Sequence, residues 1–134
     1  MFKINLPVRL HLTDAAGVLF FGNYFILAHD AYESMMESIG FPLDHFVTGA
    51  NYLPLIVHAE GDYLTPLRTG HLVTVVVHVE KIGTSSYALR YDLSSSDGAT
   101  VAVLRTVHVT VDRTTMQSCP IPDELRIKLT ELAE

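Results

Sequence analysis

Residues 13–39 read TDAAGVLFFGNYFILAHDAYESMMESI, and the second half of this stretch sets the architecture. Over residues 24–39, Tyr24, Leu27, Ala28, Ala31, Tyr32, Met35, Met36 and Ile39 recur at three- and four-residue steps. His29, Asp30, Glu33, Ser34, Glu37 and Ser38 fill the opposite side. Residues three and four apart share one face of a helix, so this period predicts a single long amphipathic helix. Asn23 is placed as its N-cap and Gly40 as its stop, with Pro42 shortly after. So wide an apolar stripe needs a broad apolar surface to lie on, such as one face of a sheet.

The rest of the chain supplies that sheet. Residues 2–12 alternate roughly and read as a first strand, in which Pro7 points to an edge position or an irregularity. Residues 43–51 form a connection with a short helical turn. Residues 53–64 read as a second strand, closed by Thr65-Pro66. The third strand, 72–81, carries Val73, Val75, Val77 and Val79 on one face. The fourth alternates Tyr87, Leu89, Tyr91 and Leu93 with Ala88, Arg90 and Asp92. Asp97-Gly98 then gives a strong hairpin signal. In the fifth strand, 101–111, every odd position is valine except Arg105. Residues 122–132 read as a short amphipathic helix, with Asp123 and Glu124 suiting its N-terminus. Tight turns join most of the later strands and crossover helices are missing, so antiparallel pairing is expected. The expected fold class is α+β, a five-stranded antiparallel sheet wrapped around one long helix, in a single domain covering 1–134.

Composition narrows the function. Apolar residues make up 49% and charged residues 18% of 134, a globular balance tilted towards burial. The formal net charge of −6 gives no basic footprint, so no nucleic-acid partner is expected. Any phosphate site must be local. Cys119 is the one cysteine, which excludes an intrachain disulfide and points to a reducing, cytoplasmic home. The opening MFKINLPVRL lacks the features of a signal peptide. No apolar run approaches the roughly 18 residues that a membrane span requires. The sequence contains no Gly-x-Ser-x-Gly elbow, Walker A loop or dinucleotide fingerprint.

The stretch Thr13-Asp14-Ala15-Ala16-Gly17-Val18-Leu19-Phe20-Phe21-Gly22-Asn23-Tyr24 resembles the signature of the 4-hydroxybenzoyl-CoA thioesterase family, whose members have the hotdog fold. Leu53-Pro54-Leu55-Ile56-Val57-His58-Ala59 and the stretch from Asp62 to Gly70 are also similar to family segments, with a flavour closest to the 1,4-dihydroxy-2-naphthoyl-CoA thioesterases of quinone biosynthesis. The resemblance implies hydrolysis of an acyl- or aroyl-CoA. Asp14 would be its carboxylate, acting either as nucleophile or as general base. The Phe21 backbone N–H would be its oxyanion donor, because the first N–H groups of a helix lack internal partners and carry partial positive charge. Gly17, Phe20, Tyr24 and His58 are the candidate substrate contacts. The Phe20-Phe21 pair is expected to shield the carboxylate from water.

Read from its residues alone, Asp14 is equally at home as a turn or capping aspartate. His58, Glu60 and Asp62 share one side of a strand and are ligand types, but read as a solvated or interface face, so no metal is expected. Coenzyme A enters as substrate, and no cofactor is expected. Some family members carry a basic cluster after the third strand; here Lys81-Ile82-Gly83-Thr84-Ser85-Ser86 has one lysine. Lys81, Arg90 and Arg113 are therefore the phosphate candidates; Arg105 reads as a strand-edge, ion-paired or interface arginine, with a phosphate contact as the sharper alternative. The family also implies a homo-oligomer, a dimer or tetramer, with the site at a subunit boundary. Two other readings stay open: a general short- or medium-chain acyl-CoA thioesterase, and a non-catalytic hotdog module that binds acyl-CoA.

Overall fold

The computed structural model describes all 134 residues. Strands β1 (Phe2–Pro7), β2 (Tyr52–Tyr63), β3 (Leu72–Ile82), β4 (Ser86–Ser94) and β5 (Thr100–Asp112) form one antiparallel sheet in the order β1-β3-β4-β5-β2. Helix α1 (Tyr24–Ser38) lies on its inner face, α2 (Leu43–Thr48) leads into β2, and α3 (Asp123–Ala133) closes the chain. The expected α+β class and strand pairing are met. No helix is long and apolar enough to cross a membrane.

Alternation positions the core. Val73, Val75 and Val77 of β3 and Leu89 and Leu93 of β4 are fully buried, and α1 sets Ala31, Met35 and Met36 against them. Each large side chain removed from water in this way contributes about 1.5–3 kcal/mol, before entropy is counted. In β5 the buried face is the even one. Ala102, Leu104, Thr106, His108 and Thr110 point inward, while Val103, Val107 and Val109 are only half-buried beside Arg105 on the outer face. Arg105 therefore interrupts no core. It pairs with Glu80 at 3.4 Å, and Glu80 also takes Arg90 at 3.3 Å.

Two local expectations change. The first strand stops at Pro7, where the ladder ends opposite Leu72, and Leu10–Leu12 form a 3-10 turn. Proline removes a ladder donor, which suits the end of an edge strand. Asn23 makes no cap. Its Nδ2 instead donates to the Leu12 carbonyl at 2.8 Å, tying the start of α1 to the preceding turn. Further along, β2 bulges at Val57, where its register against β5 shifts between Ile56 and His58. Farther along that strand, a Cβ on Gly61 would stand 2.6 Å from Cδ2 of the buried Leu104, so a larger residue there would have to displace that side chain.

Candidate active site

The loop ahead of α1 is a tight hairpin. The Asp14 N–H donates to the Val18 carbonyl at 2.9 Å, and the Gly17 N–H donates back to the Asp14 carbonyl at 3.0 Å. Thr13 and Leu19 bridge its base, and the Leu12 carbonyl accepts from Phe20 N–H at 3.1 Å as well as from Asn23. Gly17 turns the corner with φ +77°, a conformation that L side chains rarely adopt. Asp14 Oδ1 accepts the Ala16 N–H at 2.8 Å, the aspartate turn that the small residues permit. The hairpin is docked to the segment before β3: Leu19 N–H donates to the Leu67 carbonyl at 2.7 Å, and Val18 bridges Arg68.

Within one chain Asp14 is exposed, against the expectation of a shielded acid. Ala15, Ala16 and Gly17 have no bulk to cover it. Phe20 and Phe21 pack on each other with centroids 4.7 Å apart, and remain 44% and 62% exposed. Phe21 opens a 3-10 turn (Phe21–Asn23) that runs directly into α1, so its N–H has no partner within that turn.

Three cavities lie in a row between α1 and the edge strand β2, forming an interrupted groove. Its first cavity, about 240 Å³, is lined by Val18, Leu19, Phe21, Tyr24, Tyr63, Leu64, Thr65 and Pro66. A second, about 170 Å³, lies among Phe25, Ala28, His29, Ile56, Ala59, Tyr91 and Thr106. A third, about 420 Å³, includes His29, Tyr32, Phe46, Leu53, Ile56 and His108. The α1 residues ascend from cavity to cavity as the β2 residues descend, because the two elements run in opposite directions. His29 and Ile56 stand on both sides of the last partition.

The groove wall carries a buried polar chain. Tyr32 and Tyr87 share a hydrogen bond of 2.6 Å; Tyr91 and Thr106 share one of 3.1 Å; Thr106 and His108 Nε2 share one of 2.9 Å. The His108 ring stacks on Tyr87 with centroids 4.8 Å apart, and its Nδ1 has no partner. Burial, with His29 nearby, lowers the His108 pKa from 6.5 to about 3, so the ring is neutral. Burial raises the Tyr91 phenol to about 12 and also raises Tyr24, where neighbouring Tyr63 adds to the effect. These phenols stay protonated and hold no charge near neutral pH.

Of the residues that the sequence points to, Phe21 and Tyr24 line the first cavity, Phe20 packs at a tilt on Phe21, and Gly17 and Asp14 sit on the adjoining hairpin, Asp14 lining no cavity. Tyr24 is a core residue, 3% exposed. His58 is not brought to the loop within one chain: it lies exposed on β2 and bonds Glu60 at 3.1 Å. No metal-sized group of three His, Cys, Asp or Glu residues occurs. Tyr63, inside the family-like Asp62–Gly70 stretch, and His29, on the polar side of the helical pattern, also line these cavities, brought there by the packing of α1 against β2.

This fold and loop define a class. The model of the thioesterase-like superfamily matches residues 8–129, and the chain belongs to that superfamily. It is 33% identical over 124 residues to a 1,4-dihydroxy-2-naphthoyl-CoA hydrolase of Nostoc punctiforme, covering 92% of this chain and 83% of that one. Its identity to the hydrolase of the same name from Rippkaea orientalis is 30% over 131 residues, with 95% of each chain covered. A solved 1,4-dihydroxy-2-naphthoyl-CoA thioesterase from Synechocystis superposes with a TM-score of 0.92 at 24% identity, covering 99% of this chain and 98% of that one.

Proposed function

We propose that the protein hydrolyses an aroyl-CoA thioester, with 1,4-dihydroxy-2-naphthoyl-CoA as the best single substrate, and does so in the cytoplasm. The observation that carries this reading is the apolar cavity lined by Phe21 and by Val18 and Leu19 of the hairpin that also carries Asp14. A thioester carbonyl set over the Phe21 N–H lies at the positive end of α1, where charge developing on its oxygen is stabilised. Asp14 then either takes a proton from an attacking water or adds to the carbonyl carbon itself. In the first route water's hydroxyl joins the carbonyl carbon as the C–S bond breaks; in the second, loss of the thiolate leaves a mixed anhydride on Asp14, which a water then hydrolyses to free the acid and restore the carboxylate. In both, a proton from water ends on the coenzyme A sulfur. The aryl group extends along α1, against Phe21, Tyr24 and Tyr63. The curated names of the relatives support the substrate.

The unpaired outer edge of β2 supports a homo-oligomer. Twelve residues long, it leaves Leu55, Ile56 and Val57 exposed at 37%, 46% and 61%. Such an edge is a liability unless it pairs. A second copy there would cover the groove, shield Asp14 from water and bring His58 towards a neighbouring site.

A second reading draws on the groove's length: continuation past His29 fits longer acyl chains as well as a fused ring. A panel of aroyl- and acyl-CoA thioesters, followed by free thiol release, separates the two. The same panel with Asp14→Asn tests the mechanism. Loss of a positioned acid–base group costs about 10²–10⁴-fold in kcat. Equal turnover by wild type and Asp14→Asn would remove Asp14 from the reaction.

A further inference from the structure

Nine Lys and Arg side chains face fifteen Asp and Glu in this chain, and most of the cations are already committed. Arg90 pairs with Asp92 and Glu80, Arg105 with Glu80, and Lys128 with Glu131. Arg113 donates to the carbonyls of Phe46, Val47 and Ala50, and Arg126 to those of Gly83 and Thr84. Lys3, Arg9, Arg68 and Lys81 remain without a partner. Two of the four, Arg9 and Arg68, lie on backbone segments that are joined at one corner. Residues 1–13 and 63–79 contain no Asp or Glu, and the structure joins these two segments: Val8 N–H donates to the His71 carbonyl at 2.9 Å, and Gly70 N–H to the Val8 carbonyl at 2.9 Å. Arg9 follows Val8 directly, and Arg68 precedes Gly70 by two residues. Both side chains are exposed, as are His11 and His71. Across the cleft from His71, Asp97 is held by Ser95 Oγ and the Ala99 N–H.

The corner also touches the hairpin of the candidate site. Val18 bridges Arg68, and Arg68 Nη1 lies 3.9 Å from where a Cβ would stand on Gly17. Val18 and Leu19 line the first cavity, and Arg68 contacts the same hairpin at Val18 and Gly17.

We propose that Arg9 and Arg68 form the phosphate-binding corner for the coenzyme A part of the substrate, a site that rests on the thioesterase reading above. A chain of net charge −6 repels a polyanion in general, and screening confines attraction to about 8 Å in physiological salt, so only locally unpaired cations can hold phosphates. Guanidinium groups suit this task because their fork bonds phosphate oxygens bidentately. The acyl group then runs along the cavities beside α1 while the nucleotide end lies over the corner where Arg9 and Arg68 are unpaired. Arg90, Arg105 and Arg113, whose donors are engaged elsewhere, are not part of it.

The test compares one acyl group on two carriers: coenzyme A, and N-acetylcysteamine, which has no phosphate. The ratio of kcat/KM between the carriers measures what the phosphates contribute. In the double variant Arg9→Gln, Arg68→Gln this ratio is expected to fall about tenfold or more, through KM of the coenzyme A substrate, with its salt dependence reduced. Lys128→Gln, on α3, keeps the wild-type ratio. Calorimetric titration with adenosine 3′,5′-diphosphate gives a readout independent of turnover: wild type binds it and the double variant does not. An unchanged ratio, or an equal loss on both carriers, overturns the corner. If wild type hydrolyses neither thioester, the hydrolase reading fails instead, and the nucleotide titration alone then decides the corner.

Discussion

His108 sits fully buried on the inner face of β5, with one ring nitrogen on Thr106 and the other without a partner. An unmet buried donor or acceptor costs about 1–3 kcal/mol, so this position is not optimised for stability alone. Its ring pKa falls from 6.5 to about 3 because burial disfavours the charged form. The unfolded chain therefore takes up a proton between those values that the folded chain refuses. The stability tied to this group is complete above about pH 6.5 and is lost as pH drops towards about 3. In His108→Gln this dependence disappears, because glutamine does not titrate. Urea midpoints at about pH 7 and about pH 5 measure it, and parallel slopes in wild type and variant would contradict it.

At the scale of elements, α2 is only six residues long and too short to hold itself together. Arg113, beyond the end of β5, gathers the Phe46, Val47 and Ala50 carbonyls at the C-terminal end of α2, where helical carbonyls lack partners. Phe46 is thereby pressed into the core and stacks edge-on against Tyr52 with centroids 5.3 Å apart. Arg113→Ala is expected to cost about 1–3 kcal/mol in urea unfolding and to speed amide exchange across α2. Unchanged exchange there would show that Phe46 alone fixes the helix. This wall also bounds the largest cavity of the groove, so the arginine shapes the site without touching the candidate hairpin.

For the molecule as a whole, the sheet has two different edges. β1 is short, with Pro7 at its end, and offers little to a partner. β2 is long and bulged, with Leu55, Ile56 and Val57 exposed ahead of the polar His58, Glu60 and Asp62. A second copy paired along β2 links activity to association. Specific activity is therefore expected to fall on dilution as sedimentation shows smaller species, and Ile56→Lys is expected to bring both changes to higher concentration. Full activity from a monomer at all dilutions would place the complete site within one chain. The acidic surface and the corner of Arg9 and Arg68 also belong to this scale, because segments far apart in sequence meet only through the pairing of β1 with β3.

The sequence by itself determined the elements and their order. The periodicity of 24–39 is visible without neighbours, and so are the alternation of Val73 to Val79 and of Tyr87 to Leu93 and the small-residue hairpin around Asp14. These follow from local geometry, which the side-chain pattern states directly. Tertiary structure alone decided which face of β5 is inside: Ala102, Leu104, Thr106, His108 and Thr110 point inward while Val103, Arg105, Val107 and Val109 are half-buried on the outer face. It decided that Asn23 ties two turns together instead of capping α1, and that Arg90 and Arg113 are occupied while Arg9 and Arg68 are not. Each of these depends on what lies across a gap between distant segments, and pairwise distance in space is the one quantity that a local pattern does not contain.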